Sequence, residues 1–125
     1  IQNASLRANR YLAALEQERY VADSRMLKTD AFTTLARAYV QAEGKHLTEC
    51  TMLRILAEEQ HYLEIGKIFA ANLRPMDYVG TLPDGKMYAL LSNTTNSEAE
   101  HVMRRCAERG YVTEIVEDEI AWQNQ

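Results

Sequence analysis

The chain has 125 residues, of which 46% are hydrophobic and 26% are charged, and its formal net charge is −4. These values are ordinary for a single soluble globular domain. The negative balance argues against a general binder of DNA, RNA or anionic membranes, because such proteins need a basic surface; any bound anion must be held by a local cluster of arginines.

The N-terminal stretch, from about Ala4 to Ala22, is predicted to form an alanine-rich helix with a narrow apolar stripe. Such a helix could be a stalk, a dimerisation helix or packing for a neighbouring domain. We therefore assign residues 1–22 to a linker or interaction helix, through which we expect weak docking or self-association, and 23–125 to the main domain. Because the chain begins at Ile1 without Met, we expect it to be part of a longer protein.

A second helix is predicted after Asp30, which can act as its N-cap, and before Gly44, which can end it. The apolar run "CTMLRILAE" has the length of a strand. The segment "EEQHYLEIGKIFAANL" follows it with the apolar spacing of a helix, and Pro75 cannot continue that helix beyond about Arg74.

The next segments predict a hairpin, a helix and a last strand. Two apolar runs, "YVGTL" and "KMYALLS", flank a Pro-Asp-Gly turn at 83–85. Thr95 and Glu98 form a capping box, Gly110 ends the helix, and "YVTEIVEDE" is a strand. From Cys50 onward the order is βαββαβ, so we predict an α+β fold with an antiparallel-centred sheet and helices packed on one face.

The cysteines and histidines predict no metal or catalytic centre. Cys50 and Cys106 lie among apolar neighbours without a CxxC spacing, so we expect two buried, reduced thiols. The three histidines, His46, His61 and His101, show no metal-ligand spacing. Motifs typical of phosphate-binding loops, dinucleotide folds and serine hydrolases are missing from the sequence.

One segment carries a family resemblance. Arg74-Pro75-Met76-Asp77 is followed by five residues and then by "PDGKM". This arrangement resembles the GGDEF domains of diguanylate cyclases, in which an RxxD inhibitory-site motif stands five residues ahead of a signature loop at a hairpin turn. The downstream "LLSNTTNSEAEHVMRR" is similar to the family's next strand, turn and helix. The resemblance extends from about Asp23 to Glu119 and implies a GGDEF, palm-like fold.

The departures from the family pattern imply an inactive domain. Cyclases use carboxylates in the signature loop and after the first strand to hold two divalent cations on the triphosphate. Here Gly85 occupies the loop carboxylate position, and Arg54 and Leu56 stand where metal-binding aspartates are expected. The resemblance therefore implies no enzyme activity, no catalytic residues and no metal.

An intact RxxD motif implies a receptor for cyclic di-GMP, with no further cofactor. Arg74 would donate to phosphate or guanine, and Asp77 would accept from the guanine edge. Inhibitory sites of this type add an arginine from the last helix, for which we favour Arg109 and place Arg105 second. The alternative is a surface ion pair at a helix end, worth under about 1 kcal/mol.

Degenerate GGDEF receptors of this kind control bacterial exopolysaccharide synthesis and biofilm formation, in Pel-type or cellulose systems. The resemblance thus implies the cytoplasmic domain of an inner-membrane protein, with polysaccharide-synthesis membrane proteins as partners and no DNA or RNA. Two other interpretations stay open at this point. One is a pseudo-cyclase that binds proteins and ignores nucleotide, and the other is an enzyme with unusual metal ligands.

Overall fold

The computed structural model describes residues 20, 21, 24 and 26–116. Most of the predicted N-terminal helix lies outside these residues, so the domain boundary at 22 and the expected self-association stay predictions. At Tyr20 the helix prediction is wrong, because this residue forms an isolated antiparallel bridge with Leu27. Val21 is half-buried and packs against the core.

The described residues form an α+β fold, in which three α-helices accompany a five-stranded mixed sheet. The elements in chain order are β1 (Met26–Leu27), α1 (Thr29–Gly44), β2 (Cys50–Leu56), a 3₁₀ turn (Glu59–His61), α2 (Tyr62–Asn72), β3 (Tyr78–Thr81), β4 (Met87–Ser92), α3 (Asn96–Glu108) and β5 (Val112–Ile115).

The strand order across the sheet is β1-β3-β4-β2-β5. β1 pairs with β3 in parallel, and all the other neighbouring strands are antiparallel. The predicted order from Cys50 onward is therefore confirmed. The predicted hairpin joins β3 to β4, and Gly85 has the positive φ of 80° that its turn requires.

Helices cover both faces of the sheet. Ile65 and Phe69 of α2 share one buried cluster with Ala99 and Cys106 of α3. Phe32 of α1 belongs to a second cluster on the opposite face. Successive side chains of a strand point to opposite faces, so β2 and β4 supply both clusters. The one-face prediction is confirmed for the two helices after Cys50, whereas α1 covers the face left open.

Several local predictions can be compared with the structure. The capping box of Thr95 and Glu98 is present at the start of α3. Asp30, however, is not the N-cap of α1: Lys28 holds that position, and Asp30 lies in the first turn, where the helix dipole also favours an acid. Gly44 is the last residue of α1 rather than the residue beyond it, and His46 takes the left-handed conformation at φ 60°. β1 was not predicted, because a strand of two residues is too short to show an alternation of apolar and polar side chains.

We predict that Gly80→Ala destabilises the fold, because a Cβ at Gly80 would lie 2.7 Å from Cβ and Cγ of Phe32. Phe32 is fully buried, so its ring cannot swing into solvent. Overpacking of this kind should lower the free energy of unfolding by about 2 kcal/mol, measured by urea denaturation. Gly44→Ala is the matched control, since its Cβ would meet nothing within 4 Å. Equal stability of the two variants would contradict the close packing of α1 on β3.

Candidate functional site

The RxxD motif forms a tight turn between the end of α2 and the start of β3. The backbone N–H of Asp77 donates to the carbonyl of Arg74 at 3.0 Å, which closes the turn. Pro75 and Met76, between them, are exposed. The side chain of Arg74 is 58% exposed, whereas that of Asp77 is only 4% exposed. The turn thus presents a cation to solvent and turns its carboxylate inward.

Arg74 and Asp77 form a bidentate ion pair. Nε donates to Oδ2 at 2.8 Å and Nη2 donates to Oδ1 at 2.9 Å. Two backbone N–H groups complete the shell: that of Arg74 donates to Oδ2 and that of Ser92 donates to Oδ1, each at 3.2 Å. An ionised carboxylate has about four acceptor positions. All four are used here, so Asp77 is satisfied within the protein.

Arg74 also ties the turn to the end of β4. Besides Asp77 Oδ1, Nη2 lies 2.7 Å from both the Ser92 carbonyl and Thr94 Oγ1, so its two N–H groups are shared among three acceptors. The Ser92 hydroxyl donates to the Met76 carbonyl at 2.6 Å. The hydrogen bonds to Asp77 raise the pKa of the Arg74 guanidinium above its ordinary value, so it remains a cation.

The two other predicted arginines lie near the end of α2. Arg109 is the C-cap of α3, and its Nη2 approaches Oδ1 of Asn72, the last residue of α2, at 3.4 Å. Arg105 and Arg109 both line a crevice between α2 and α3 that also includes Leu73, the neighbour of Arg74. The crevice is shallow, with a volume of about 40 Å³, and mostly apolar. The structure therefore brings Arg109 to the end of α2 and Arg105 to the crevice beside it, whereas the guanidinium of Arg74 contacts Thr94, beside the start of α3.

A larger open groove lies on the other side of the turn. It has a volume of about 710 Å³, and its lining includes Pro75, Tyr78 and Tyr20. Tyr78 is half-buried, and its ring is also 6.2 Å from that of Tyr39. Aromatic faces of this kind can stack on a flat base. The groove is therefore large enough for a planar ligand, and Pro75, the neighbour of Arg74, borders it.

The hairpin turn that resembles a cyclase signature loop is held by its own side chains. Tyr88 donates to the carboxylate of Asp84 in the turn, and Arg54 Nε donates to Tyr88 Oη at 3.3 Å. Arg54 also forms an ion pair with Glu114 of β5. Arg54, which stands at a position where cyclases carry a metal ligand, is thus committed to a network across three strands.

The thiols differ in burial. Cys106 is buried, as predicted, and desolvation raises its pKa to about 11. Cys50 is only half-buried, which corrects the prediction; desolvation, followed by the hydrogen bond to Glu43, raises its pKa to about 12. Both thiols are therefore protonated at neutral pH. Among the described residues, no three His, Cys, Asp or Glu side chains are arranged to hold a metal ion.

Sequence reasoning missed Ser92 and Thr94. They lie in "LLSNTT", directly before the capping box of α3, and only the pairing of β3 with β4 brings them to the RxxD turn. The register Tyr78 opposite Leu90 sets Met76 beside Ser92. Polar residues at or just after the end of a strand are common, so the sequence offers no signal that distinguishes these two.

Comparison with known proteins adds no relationship, since no protein-family model matches the chain and no curated protein matches it. Within the described residues, none of the helices has the length and hydropathy needed to cross a membrane.

The fold is α+β with a five-stranded mixed sheet, and the site consists of an inward-facing carboxylate, an outward-facing arginine and two further arginines on the neighbouring helix.

Proposed function

We propose that the chain is a catalytically inactive GGDEF-type domain that binds cyclic di-GMP through Arg74, Asp77, Arg109 and Arg105. The observation that carries this proposal is the grouping of the arginines: Arg109 contacts the last residue of α2, two residues before Arg74. Arg74 follows the end of α2, Arg109 contacts that end and Arg105 lines the adjoining crevice, so these arginines supply local positive charge for the phosphates of a cyclic dinucleotide despite the acidic net charge of the chain.

The hydrogen bonds of Arg74 suggest how the ligand would be held. Within the described residues they use Nε and Nη2 and leave Nη1 unused. A phosphate oxygen can accept from Nη1 while the pair with Asp77 stays intact. Contact between Asp77 and a guanine edge is different, because its four acceptor positions are filled; the guanidinium must first exchange Asp77 for the ligand. Pro75 and Tyr78 border the groove in which a base would lie.

Among receptors of this design, the arrangement most resembles PelD, the inner-membrane receptor that controls Pel exopolysaccharide production. By that likeness we propose a cytoplasmic location, attachment to an inner-membrane protein and polysaccharide-synthesis proteins as partners, with a role in biofilm formation. BcsE-like receptors of cellulose synthesis are the second candidate within this class.

Calorimetric titration with cyclic di-GMP at fixed salt tests the proposal. We expect saturable binding with a micromolar Kd, and no comparable heat from GTP at the same concentration. The absence of saturable binding by the folded domain would overturn the proposal.

A nucleotide-independent interaction module is the second candidate function. The complete hydrogen bonding of Asp77 inside the protein favours it, since that is the arrangement expected of a purely structural ion pair. The same titration separates the two functions, because the module predicts no response to cyclic di-GMP.

We predict that GTP with Mg²⁺ or Mn²⁺ yields no cyclic di-GMP. Gly85 offers no side chain at the loop carboxylate position, and Arg54 places a cation where the second metal ligand is expected. Without those carboxylates the triphosphate and the attacking hydroxyl are not positioned. Chromatography of the reaction mixture would reveal the product. Turnover above a control without protein would support an enzyme with unusual metal ligands.

A further inference from the structure

We infer that Thr94 is a positioning residue for Arg74: its buried hydroxyl fixes the guanidinium so that Nη1 faces the ligand. The inference rests on the proposed role of Arg74 in binding cyclic di-GMP. Thr94 lies twenty residues further along the chain, after β4, and is 5% exposed. Its Oγ1 accepts a hydrogen bond from Nη2 of Arg74 at 2.7 Å.

The orientation of the Thr94 hydroxyl is fixed. Oγ1 donates its own proton to the Ser92 carbonyl at 2.8 Å, so its lone pairs are free to accept from Nη2. The backbone is held as well, because the hydroxyl of Thr51 donates to the Thr94 carbonyl at 2.8 Å. Thr94 is therefore a rigid acceptor rather than a side chain that adapts to Arg74.

The contact with Thr94 adds a second hold on the guanidinium to that of the ion pair. Asp77 holds the Nε and Nη2 edge and is itself tied to β4 by the backbone N–H of Ser92. Thr94 and the Ser92 carbonyl hold Nη2 from a different element, which fixes the guanidinium relative to the sheet. An arginine side chain loses considerable rotamer entropy on binding, and a preorganised one loses less.

The same loop also relates Arg74 to the other arginines. Thr94 directly precedes Thr95, the N-cap of α3, and that helix carries Arg105 and has Arg109 as its C-cap. The segment after β4 therefore contacts Arg74 and also leads into the helix that carries the other arginines. Thr94 contributes no atom to the ligand; it acts through Arg74.

The test compares three threonine variants. Thr94→Val keeps the shape of the side chain and removes the acceptor, whereas Thr94→Ser restores the hydroxyl. Thr113→Val is the matched control, because the hydroxyl of Thr113 is buried in β5 without a hydrogen-bond partner among the described residues. In titrations with cyclic di-GMP we expect Thr94→Val to raise the Kd about fivefold or more, which a lost hydrogen bond accounts for. Thr94→Ser and Thr113→Val should stay within about twofold of wild type.

A second readout does not need the ligand. We expect the side-chain NMR signals of Arg74, assigned by their loss in Arg74→Lys, to show restricted rotation of the guanidinium NH₂ groups in wild type and averaging in Thr94→Val. If wild type binds no cyclic di-GMP, the proposed function fails, and this NMR comparison still decides the role of Thr94.

Three results would overturn the inference. In the first, Thr94→Val matches wild type in both readouts. In the second, Thr94→Ser is as weak as Thr94→Val, which would assign the effect to packing. In the third, Thr94→Val binds weakly but leaves the Arg74 signals unchanged. Should Thr94→Val fail to fold, Thr94→Ala carries the same comparison.

Discussion

Replacing Asp77 by alanine is expected to lower the free energy of unfolding by about 3 kcal/mol. The carboxylate accepts two guanidinium bonds and two backbone bonds while its side chain is 4% exposed. Its removal leaves the backbone N–H of Ser92, which is buried, without an acceptor. Urea denaturation monitored by circular dichroism measures the loss.

The matched control for this substitution is Asp30→Ala. Asp30 is exposed in the first turn of α1, where its removal should cost no more than about 1 kcal/mol of helix-dipole interaction. Arg74→Ala should also lower the free energy of unfolding, because it leaves the buried Asp77 carboxylate without its counter-ion. If Asp77→Ala and Asp30→Ala lower the free energy of unfolding by similar amounts, the hydrogen bonds of Asp77 do not stabilise the RxxD turn. The interpretation as a weak surface pair is wrong for Asp77, because the carboxylate is buried.

Arg74→Ala is expected to weaken cyclic di-GMP binding by roughly ten- to a hundredfold, because hydrogen bonds to charged groups contribute about 1.5–3 kcal/mol. Arg109→Ala should act similarly and more strongly than Arg105→Ala, since Arg109 contacts the end of α2 directly. Titrations at one salt concentration measure the change, and thermal unfolding confirms that each variant is folded.

Arg104→Ala supplies the control for charge. Arg104 is exposed on the same helix but does not line the crevice that holds Arg105 and Arg109. The Arg104→Ala variant should bind cyclic di-GMP with a Kd within about twofold of that of the wild type. If Arg74→Ala and Arg109→Ala also bind like wild type, the arginines serve only the helix ends, and the interaction-module function gains the support that the receptor loses.

The sequence predicted the parts of the fold that depend on local chemistry. The Pro-Asp-Gly turn and the capping box of Thr95 and Glu98 are confirmed, because a positive φ and an orphan N–H are local requirements. The face covered by α1 and the parallel strand β1 were not predicted, since both depend on pairing between distant segments. Tertiary packing decides such features.

The site was predicted only in part, for a similar reason. The spacing of Arg74 and Asp77 to the hairpin is visible in the sequence, whereas the burial of Asp77 is not, because charged residues in turns are usually exposed. The roles of Ser92 and Thr94 depend on a backbone carbonyl and on a strand register. Neither a carbonyl nor a register appears in a residue pattern.

The parallel pairing of β1 with β3 determines how a movement at the site can leave the domain. β3 begins directly after Asp77, and Met26 of β1 is hydrogen-bonded opposite Val79. A shift of the RxxD turn therefore crosses a single strand boundary to reach the segment that follows Tyr20 and Val21, but it must cross three to reach β5. We therefore expect a displacement of the RxxD turn to affect β1 more than β5. Because Met26, Leu27 and Val79 are all buried, this parallel pairing is part of the core, and a displacement of the turn would disturb the packing there first.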